Sequence, residues 1–511
     1  MNTRYIFITG GVVSSLGKGI TSASIGCVLS RCGLRVNLIK MDPYLNVDPG
    51  RMDPFEHGEV FVTSDGAEAD LDLGHYERFL GRDMTGESSL TSGRIYSSVI
   101  ARERRGGYGG HTVQVIPHIT DEIKSRILSF SRRSDVVIVE IGGTVGDIES
   151  LPFLEAIRQI RTDVGRDRAA YIHLTLLPYV DSAGEVKTKP TQQSVAKLRE
   201  IGIQPDMVMT RSPRPLSPEA RQKISLFCNV RKDHVIHQRD VKATVYEVPV
   251  HLRRQGVDTK LFRLLSMRRR RADMKSWEDM LQGMLGASSP VRVGISGECA
   301  GAGDSCLSIS EALKHAQSAL GVMVDPVFID LDNKNPEEVI PGLDGLIIAG
   351  ESGGRTGKNR SGAVRICRET DKPFFGICLG FKTMLDEFGS NVMKKKLPFR
   401  LDTSSGRGSL TVRVKKGSLA AKSYAAPMAA PRRRRRLRVD EKVLNSWSRK
   451  GVEVTGVDRS DGLTEIIELK GRRWFLSCQF HPEYTSRPTS PERLFLGFVS
   501  ACADYSREKN L

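Results

Sequence analysis

At 511 residues the chain is long enough for two or three separately packed cores, which argues against a single compact domain. Hydrophobic residues make up 39% and charged residues 27%, an ordinary soluble balance, and no apolar run approaches the ~20 residues that a membrane-spanning helix requires. The net charge of +17 asks for anionic partners. Polyphosphate substrates are favoured over nucleic acid, because the densest basic runs, 268–271, 394–396 and 432–436, carry no interleaved aromatics for base stacking and read as solvated linker and loop charge. The nine cysteines are scattered without a Cys-x-x-Cys pair, so neither a disulfide framework nor a zinc site is indicated, and the start runs into a strand without a signal-peptide pattern, which predicts a cytoplasmic protein.

In chain order, apolar runs at 5–9, 36–40, 136–141 and 171–177 alternate with helix-like stretches at 20–32 and 148–159. That rhythm predicts an α/β fold, a doubly wound parallel sheet covered by helices on both faces. Between the first strand and helix lies Gly10-Gly11-Val12-Val13-Ser14-Ser15-Leu16-Gly17-Lys18-Gly19-Ile20, a glycine-rich turn whose backbone N–H groups suit phosphates, with Lys18 reaching the terminal one. Gly19 stands where a hydroxyl would touch magnesium, so the metal must lean on carboxylates such as Asp70, Asp72 and Glu140. Two polar clusters follow: 142–149, with Asp147 and Glu149, suits sugar hydroxyls or a metal-bound phosphate, and 185–192 supplies two lysines, two hydroxyls and an amide. Together they suggest two nucleotides in one cleft.

The pattern fails near 267–289, which sets the expected organisation as 1–266, a linker at 267–290, and a second α/β domain at 291–511. The glycine-, serine- and alanine-rich stretch 406–431 reads as a poorly structured excursion within that second domain. Its main chemical signal is Gly376-Ile377-Cys378-Leu379-Gly380 after the apolar Phe374-Phe375, a strand-to-helix elbow presenting a thiolate. His481-Pro482-Glu483 offers a base and a group to orient it. The expected chemistry is acyl transfer from an amide; the alternative is an inert buried cysteine.

The phosphate-loop run, Lys40-Met41-Asp42-Pro43-Tyr44, the acidic stretch 65–78, Val113-Gln114-Val115-Ile116-Pro117-His118, and the clusters at 142–149 and 187–192 closely resemble CTP synthase, continuously over about the first half. The second half resembles that family's class I glutamine amidotransferase domain more loosely. The resemblance implies ATP-dependent phosphorylation of O4 of UTP, then displacement of that phosphate by ammonia released from glutamine. It assigns ATP to Ser14, Ser15, Leu16, Gly17, Lys18, Gly19, Ile20 and Asp72, the adenine to Arg239, Asp240 and Val241, and Mg²⁺ to Asp72 and Glu140. UTP, or CTP as feedback ligand, falls to Ser14, Asp147, Ile148, Glu149, Lys187, Thr188, Lys189, Pro190, Thr191, Gln192 and Lys223, while Lys40 lies near the transferred phosphate. Catalytic roles go to Cys378, His481, Glu483, Lys18 and Lys40, and a homotetramer activated by GTP is implied.

The glutamine-handling set is Glu351, Leu379, Gly380, Phe381, Lys382 and Arg436; Arg436 aligns with the family's arginine although Leu437 replaces the tyrosine after it, but other positions depart. Glu351 stands in a loop that is otherwise glycine-rich, Lys382 replaces an amide, and Lys396-Leu397-Pro398-Phe399 lacks the acid that meets the amino group of glutamine. These departures predict a competent synthetase joined to an impaired glutaminase, with ammonia as the effective donor. Other readings are a different amidating ligase, such as a cobyrinic acid amide synthase, and an idle scaffold or regulatory subunit.

Overall fold

The computed structural model describes residues 3–241, 243–297, 303–350, 357–395, 397–402 and 406–509. Glu351 and Lys396 lie outside them. Two compact units result, one of residues 1–49 and 75–278 and one of 50–74 and 279–511. The segment Gly50–Gly74, expected within the first domain, thus belongs with the second unit.

The first unit is built on a seven-stranded sheet whose spatial order is Val235–Arg239, Met207–Ser212, Ala169–Leu176, Arg4–Gly11, Val136–Ile141, Val36–Asp42 and Ser89–Thr91. Every neighbouring pair is parallel. Central strands of such a sheet are covered on both faces, so they read as unbroken apolar runs; all six residues of Val136–Ile141 are buried, Glu140 included. Arg4–Gly11 sits centrally, so the glycine turn that follows it opens at the carboxyl ends of the strands, where ligands of such sheets bind.

In the second unit five strands run parallel, in the order Val322–Phe328, Ser288–Gly297, Gly345–Ala349, Phe374–Ile377 and Phe475–Cys478. Four antiparallel strands extend the same sheet from Thr464–Leu469 outward. Helices Leu307–Leu320 and Arg493–Lys509 help to close a core on one face around Phe375, Phe495 and Phe498.

Three expectations are corrected. Within the predicted linker, Lys275–Leu285 is a helix, and its Trp277 is fully buried, donating to the Tyr246 carbonyl at 2.8 Å with the Arg31 guanidinium 4.5 Å from its ring. The 406–431 excursion is structured, with strands Gly408–Ser409, Val412–Val414 and Met428–Ala429 around helix Leu419–Tyr424. The run 432–436 is not solvated: Arg432, Arg433, Arg434 and Arg436 are all buried. Arg433 pairs with Asp458 at 3.0 Å and with Glu465, Arg434 with Glu68 at 2.8 Å, and Arg436 with Asp402 at 2.8 Å and Asp461 at 2.7 Å. The run is therefore internal wiring, with carboxylates from distant segments offsetting its desolvation.

Removing one partner from such a network strands the others. Arg433→Ala is expected to cost about 3–5 kcal/mol, read as a lowered denaturation midpoint, and a loss below about 1 kcal/mol would contradict the pairing. A second expectation concerns Glu492, which caps helix Arg493–Lys509 by accepting from the Leu494 and Phe495 amides at 2.8 and 3.2 Å. Burial pushes its carboxyl up to about 7 although these bonds pull the other way. Between about 4.5 and about 7 the folded chain holds a proton that the unfolded chain has lost, so stability falls as pH rises, by up to about 1.4 kcal/mol per pH unit. Glu492→Gln cannot ionise, so its thermal midpoint relative to the parent should improve from about pH 5 to about pH 8; an unchanging difference would refute the shift.

Candidate active site

In the first unit the chain leaves strand Arg4–Gly11 through a loop in which Val12, Ser15 and Gly17 take φ of 84°, 53° and 92°, and enters helix Lys18–Arg31. Such turns direct successive amides into one concavity at a helix N-terminus. Ser14 and Ser15 are exposed there, Leu16 is buried beneath, and Gly19 and Ile20 lie in the first helical turn. Lys18 folds back over Gly10, where a Cβ would stand 2.7 Å from its Cδ, and its Nζ donates to the Gly143 carbonyl at 2.6 Å. The Val145 amide donates to the Gly10 carbonyl at 2.9 Å. The phosphate loop and the 142–149 loop therefore meet, as the two-nucleotide reading requires. Asp147 accepts from the Thr144 amide at 2.6 Å, while Ile148 and Glu149 are exposed beyond it.

Glu140 ends its strand almost wholly buried, taking the Lys40 ammonium at 3.0 Å and the hydroxyl of Tyr76. Lys40 also lies 3.7 Å from Asp42. Asp72 opens helix Asp72–Leu80, which carries Tyr76 one turn on. Among the described residues no group of three or more His, Cys, Asp or Glu is gathered as a metal cage.

Lys187, Thr188, Lys189 and Lys223 line one cavity of about 550 Å³ together with Arg214. Pro190 starts helix Lys189–Glu200, and Gln192 donates to the Thr188 hydroxyl at 3.1 Å. Thr191 points elsewhere: it is buried and its hydroxyl meets that of Thr175 at 3.0 Å. Arg239 ends strand Val235–Arg239, Asp240 pairs with Arg211 at 2.6 Å, and Arg211 donates to the Leu16 carbonyl at 3.0 Å, which ties the 239–241 segment, Val241 included, to the phosphate loop. Sequence reasoning missed Arg211, which belongs to no local pattern, and gave Tyr76 no role although it lies in the stretch 65–78. It also missed His173, whose ring nitrogens meet Thr9 at 2.8 Å and Ser194 at 2.9 Å beneath Gly11. Burial, aided by the Lys18 charge, lowers that imidazole to about 3, so it serves as a neutral tether.

In the second unit Cys378 caps helix Leu379–Asn391 with φ 54° and ψ −88°, a backbone region that non-glycine residues rarely adopt. The flanking glycines explain how the elbow fits. A Cβ on Gly376 would lie 2.2 Å from the Ser477 hydroxyl, and one on Gly380 would lie 2.2 Å from the Ile348 carbonyl. His481 donates from Nδ1 to the Glu483 carboxylate at 2.7 Å, stacks on Tyr484 with centroids 5.1 Å apart, and donates its amide to the Arg432 carbonyl at 2.7 Å. Burial would lower the imidazole, but the Glu483 carboxylate and the Cys378 sulfur outweigh it and push it up to about 10. The three residues expected as a triad are thus in electrostatic contact, with His481 held cationic.

Beside them lies a cavity of only about 60 Å³, lined by Glu59, Val60, Cys306, Arg434, His481 and Tyr484 among others. Cys306 is disulfide-bonded, a departure from the expectation of no bridges. The glutamine-handling residues are not all gathered here. Phe381 is buried in the apolar core, and Arg436 is spent on carboxylates. Lys382 is partly buried on the helix after the elbow, and the Leu379 amide, the donor that follows the nucleophile, is taken by the Gly350 carbonyl at 3.1 Å.

Residues 4–267 match the family model for the CTP synthase N-terminus, and residues 302–501 that for class I glutamine amidotransferases. The CTP synthase of Pyrococcus furiosus is 45% identical, covering 100% of this chain and 99% of its own. That of Halalkalibacterium halodurans is 44% identical, covering 98% and 99% respectively. A solved glutaminase domain of the Trypanosoma brucei CTP synthase with bound acivicin is 25% identical over 42% of this chain and 94% of its own, with a TM-score of 0.38. With both halves matched and close relatives spanning its full length, the chain belongs to the CTP synthase family.

Proposed function

We propose that the chain converts UTP to CTP at the expense of ATP, with ammonia released from glutamine as the nitrogen donor. Full-length likeness to the family supports this, and the observation that carries it here is the contact between Lys18 and Gly143, which joins the phosphate loop to the second polar loop. O4 of UTP attacks the γ-phosphorus of ATP and ADP departs; ammonia then adds at C4 and expels phosphate, giving CTP. Lys18 offsets charge on the phosphoryl group in flight. The cavity that Lys187, Lys189 and Lys223 line together supports assigning the UTP phosphates to them.

Glu140 is buried and pairs with Lys40, and its carboxylate oxygen suits magnesium. Glu140 and Asp72 are the residues we assign to it, and an ion held there would supply positive charge to offset that of the phosphates. Activation by GTP and a cytoplasmic setting complete the reading. A homotetramer fits as well, because Leu45, Val47, Ile116 and Ile148 expose apolar surface on the first unit.

For the amide half, the Cys378 thiolate attacks the glutamine carboxamide and the His481 imidazolium gives its proton to the departing ammonia, leaving a glutamyl thioester for water. The Leu379 amide bonded to Gly350, the committed Arg436 and a cavity far below the roughly 300–1,000 Å³ of ordinary ligand sites all favour a weakened glutaminase. The assay is CTP formation from UTP, ATP and magnesium with either ammonium or glutamine. Glutamine should support a rate at least about tenfold below saturating ammonium, since one missing oxyanion donor costs roughly 10²–10³. Equal rates would reject the impairment, and no CTP from either donor would reject the function. Cys378→Ala should abolish the glutamine-dependent rate and spare the ammonium rate. Lys18→Ala should lower both by about 10² or more, and activity retained with both donors would remove Lys18 from the chemistry.

A further inference from the structure

The arginine run 268–271 plays no part in the reaction just described. Unlike the buried run 432–436, all four of its side chains are exposed. It follows helix Val257–Leu264 without regular secondary structure and is tethered at both ends: the Met267 amide donates to Phe262 at 2.8 Å and the Asp273 amide to Arg31 at 3.0 Å. In the middle Arg270 donates to the Gly33 carbonyl at 3.1 Å. The run is therefore a fixed strap on the first unit.

The run reaches two cavities, and Arg270 lines both. Arg268 and Arg270 line a cavity of about 350 Å³ with Arg4 and Arg35, and the acid there, Asp135, is already taken by Arg35 at 2.9 Å. Arg269, Arg270 and Arg271 line a second cavity of about 650 Å³ with Arg253 and Arg254, where the acid is the buried Asp258. Eight arginines thus face two aspartates, and Arg254, Arg268, Arg269 and Arg271 make no hydrogen bond or ion pair among the described residues. Cations gathered around shared cavities repel one another unless an anion joins them. Arg4, Arg35 and Asp135 stand at the amino ends of their strands, the edge of the sheet opposite to the phosphate loop.

We propose that this strap is a binding site for a linear chain of phosphates, with inorganic polyphosphate as the ligand class. Guanidinium forks grip phosphate oxygens two at a time, and arginines lining two cavities along one strap suit repeated anionic groups better than a single one. Neither cavity has an aromatic lining residue, and the larger apolar side chains are Leu34 and Met267, so no flat face is present for a base. That favours a bare phosphate chain over nucleic acid.

The test is binding of fluorescently labelled polyphosphate to the full chain, with excess ATP and magnesium filling the phosphate loop, across a series of salt concentrations. Affinity should fall linearly on a log–log plot, and the triple variant Arg268→Gln, Arg269→Gln, Arg271→Gln should bind at least about tenfold more weakly, with a salt slope smaller by about 2–3. The thermal midpoint of the variant reports folding and should match the parent, because all three side chains are exposed. Equal affinity and slope in parent and variant would overturn the proposal. So would a single-stranded oligonucleotide of equal phosphate count that displaces polyphosphate more effectively than unlabelled polyphosphate does, since the strap would then be a nucleic-acid surface.

Discussion

The bond from Lys18 Nζ to the Gly143 carbonyl is the contact on which the nucleotide half of the molecule turns. It depends on two strands being neighbours in a parallel sheet, so that the loops leaving Gly11 and Ile141 emerge side by side. It also depends on glycine. Gly10 leaves room for the lysine stem, and at Gly142 a Cβ would stand 2.7 Å from the Met41 carbonyl, so a larger residue would push this loop off the neighbouring strand. The cost of placing an ammonium in a nearly buried position is offset by carbonyl oxygen, which a terminal phosphate can replace with a stronger, charge-assisted partner.

The cysteine half solves a different problem, holding a reactive sulfur in a conformation that the backbone resists. Positive φ at Cys378 is retained because the residues around it leave no relaxed alternative: its amide is tied to Cys478 at 2.8 Å, and the glycines on either side pack against Ser477 and Ile348. The base is fixed just as tightly, between Glu483, Tyr484 and the Arg432 carbonyl. Nucleophile and base are thus rigid, while the donor needed for an oxyanion is engaged with Gly350. Attack and binding are separate requirements, and the weakened glutaminase we propose rests on that separation.

Much of the fold was legible because buried parallel strands are rich in apolar residues: 5–9, 36–40 and 136–141 fall within strands of the first sheet, and 171–177 overruns its strand by one residue. Local motifs were legible for the same reason, since a phosphate loop or a cysteine elbow is written within a dozen residues. Partners brought by the fold were not. Nothing near Glu140 names Tyr76 as its donor, nothing near Leu16 names Arg211, and Thr191 looked like a ligand contact until its hydroxyl was seen turned to Thr175 in the core. The segment 50–74 is the largest case, because its membership of the second unit rests on contacts such as Glu59 to Ser308 that are 249 positions apart.

The two arginine runs show why composition alone misjudges charge. Both are four or five arginines in succession, and both were read as solvated. At 432–436 the fold returns Asp402, Asp458, Asp461, Glu465 and Glu68 to the same place, so the charges are paired as fast as they are buried. At 268–271 no comparable set of acids arrives, and the strap stays in water with more cations gathered around it from strands and helices. The difference lies wholly in which carboxylates long-range topology delivers. A buried pair is complete within the chain, whereas an exposed excess of like charge has its counter-ion outside the molecule, and a surface of this kind is where a second ligand can act without competing for the catalytic loops.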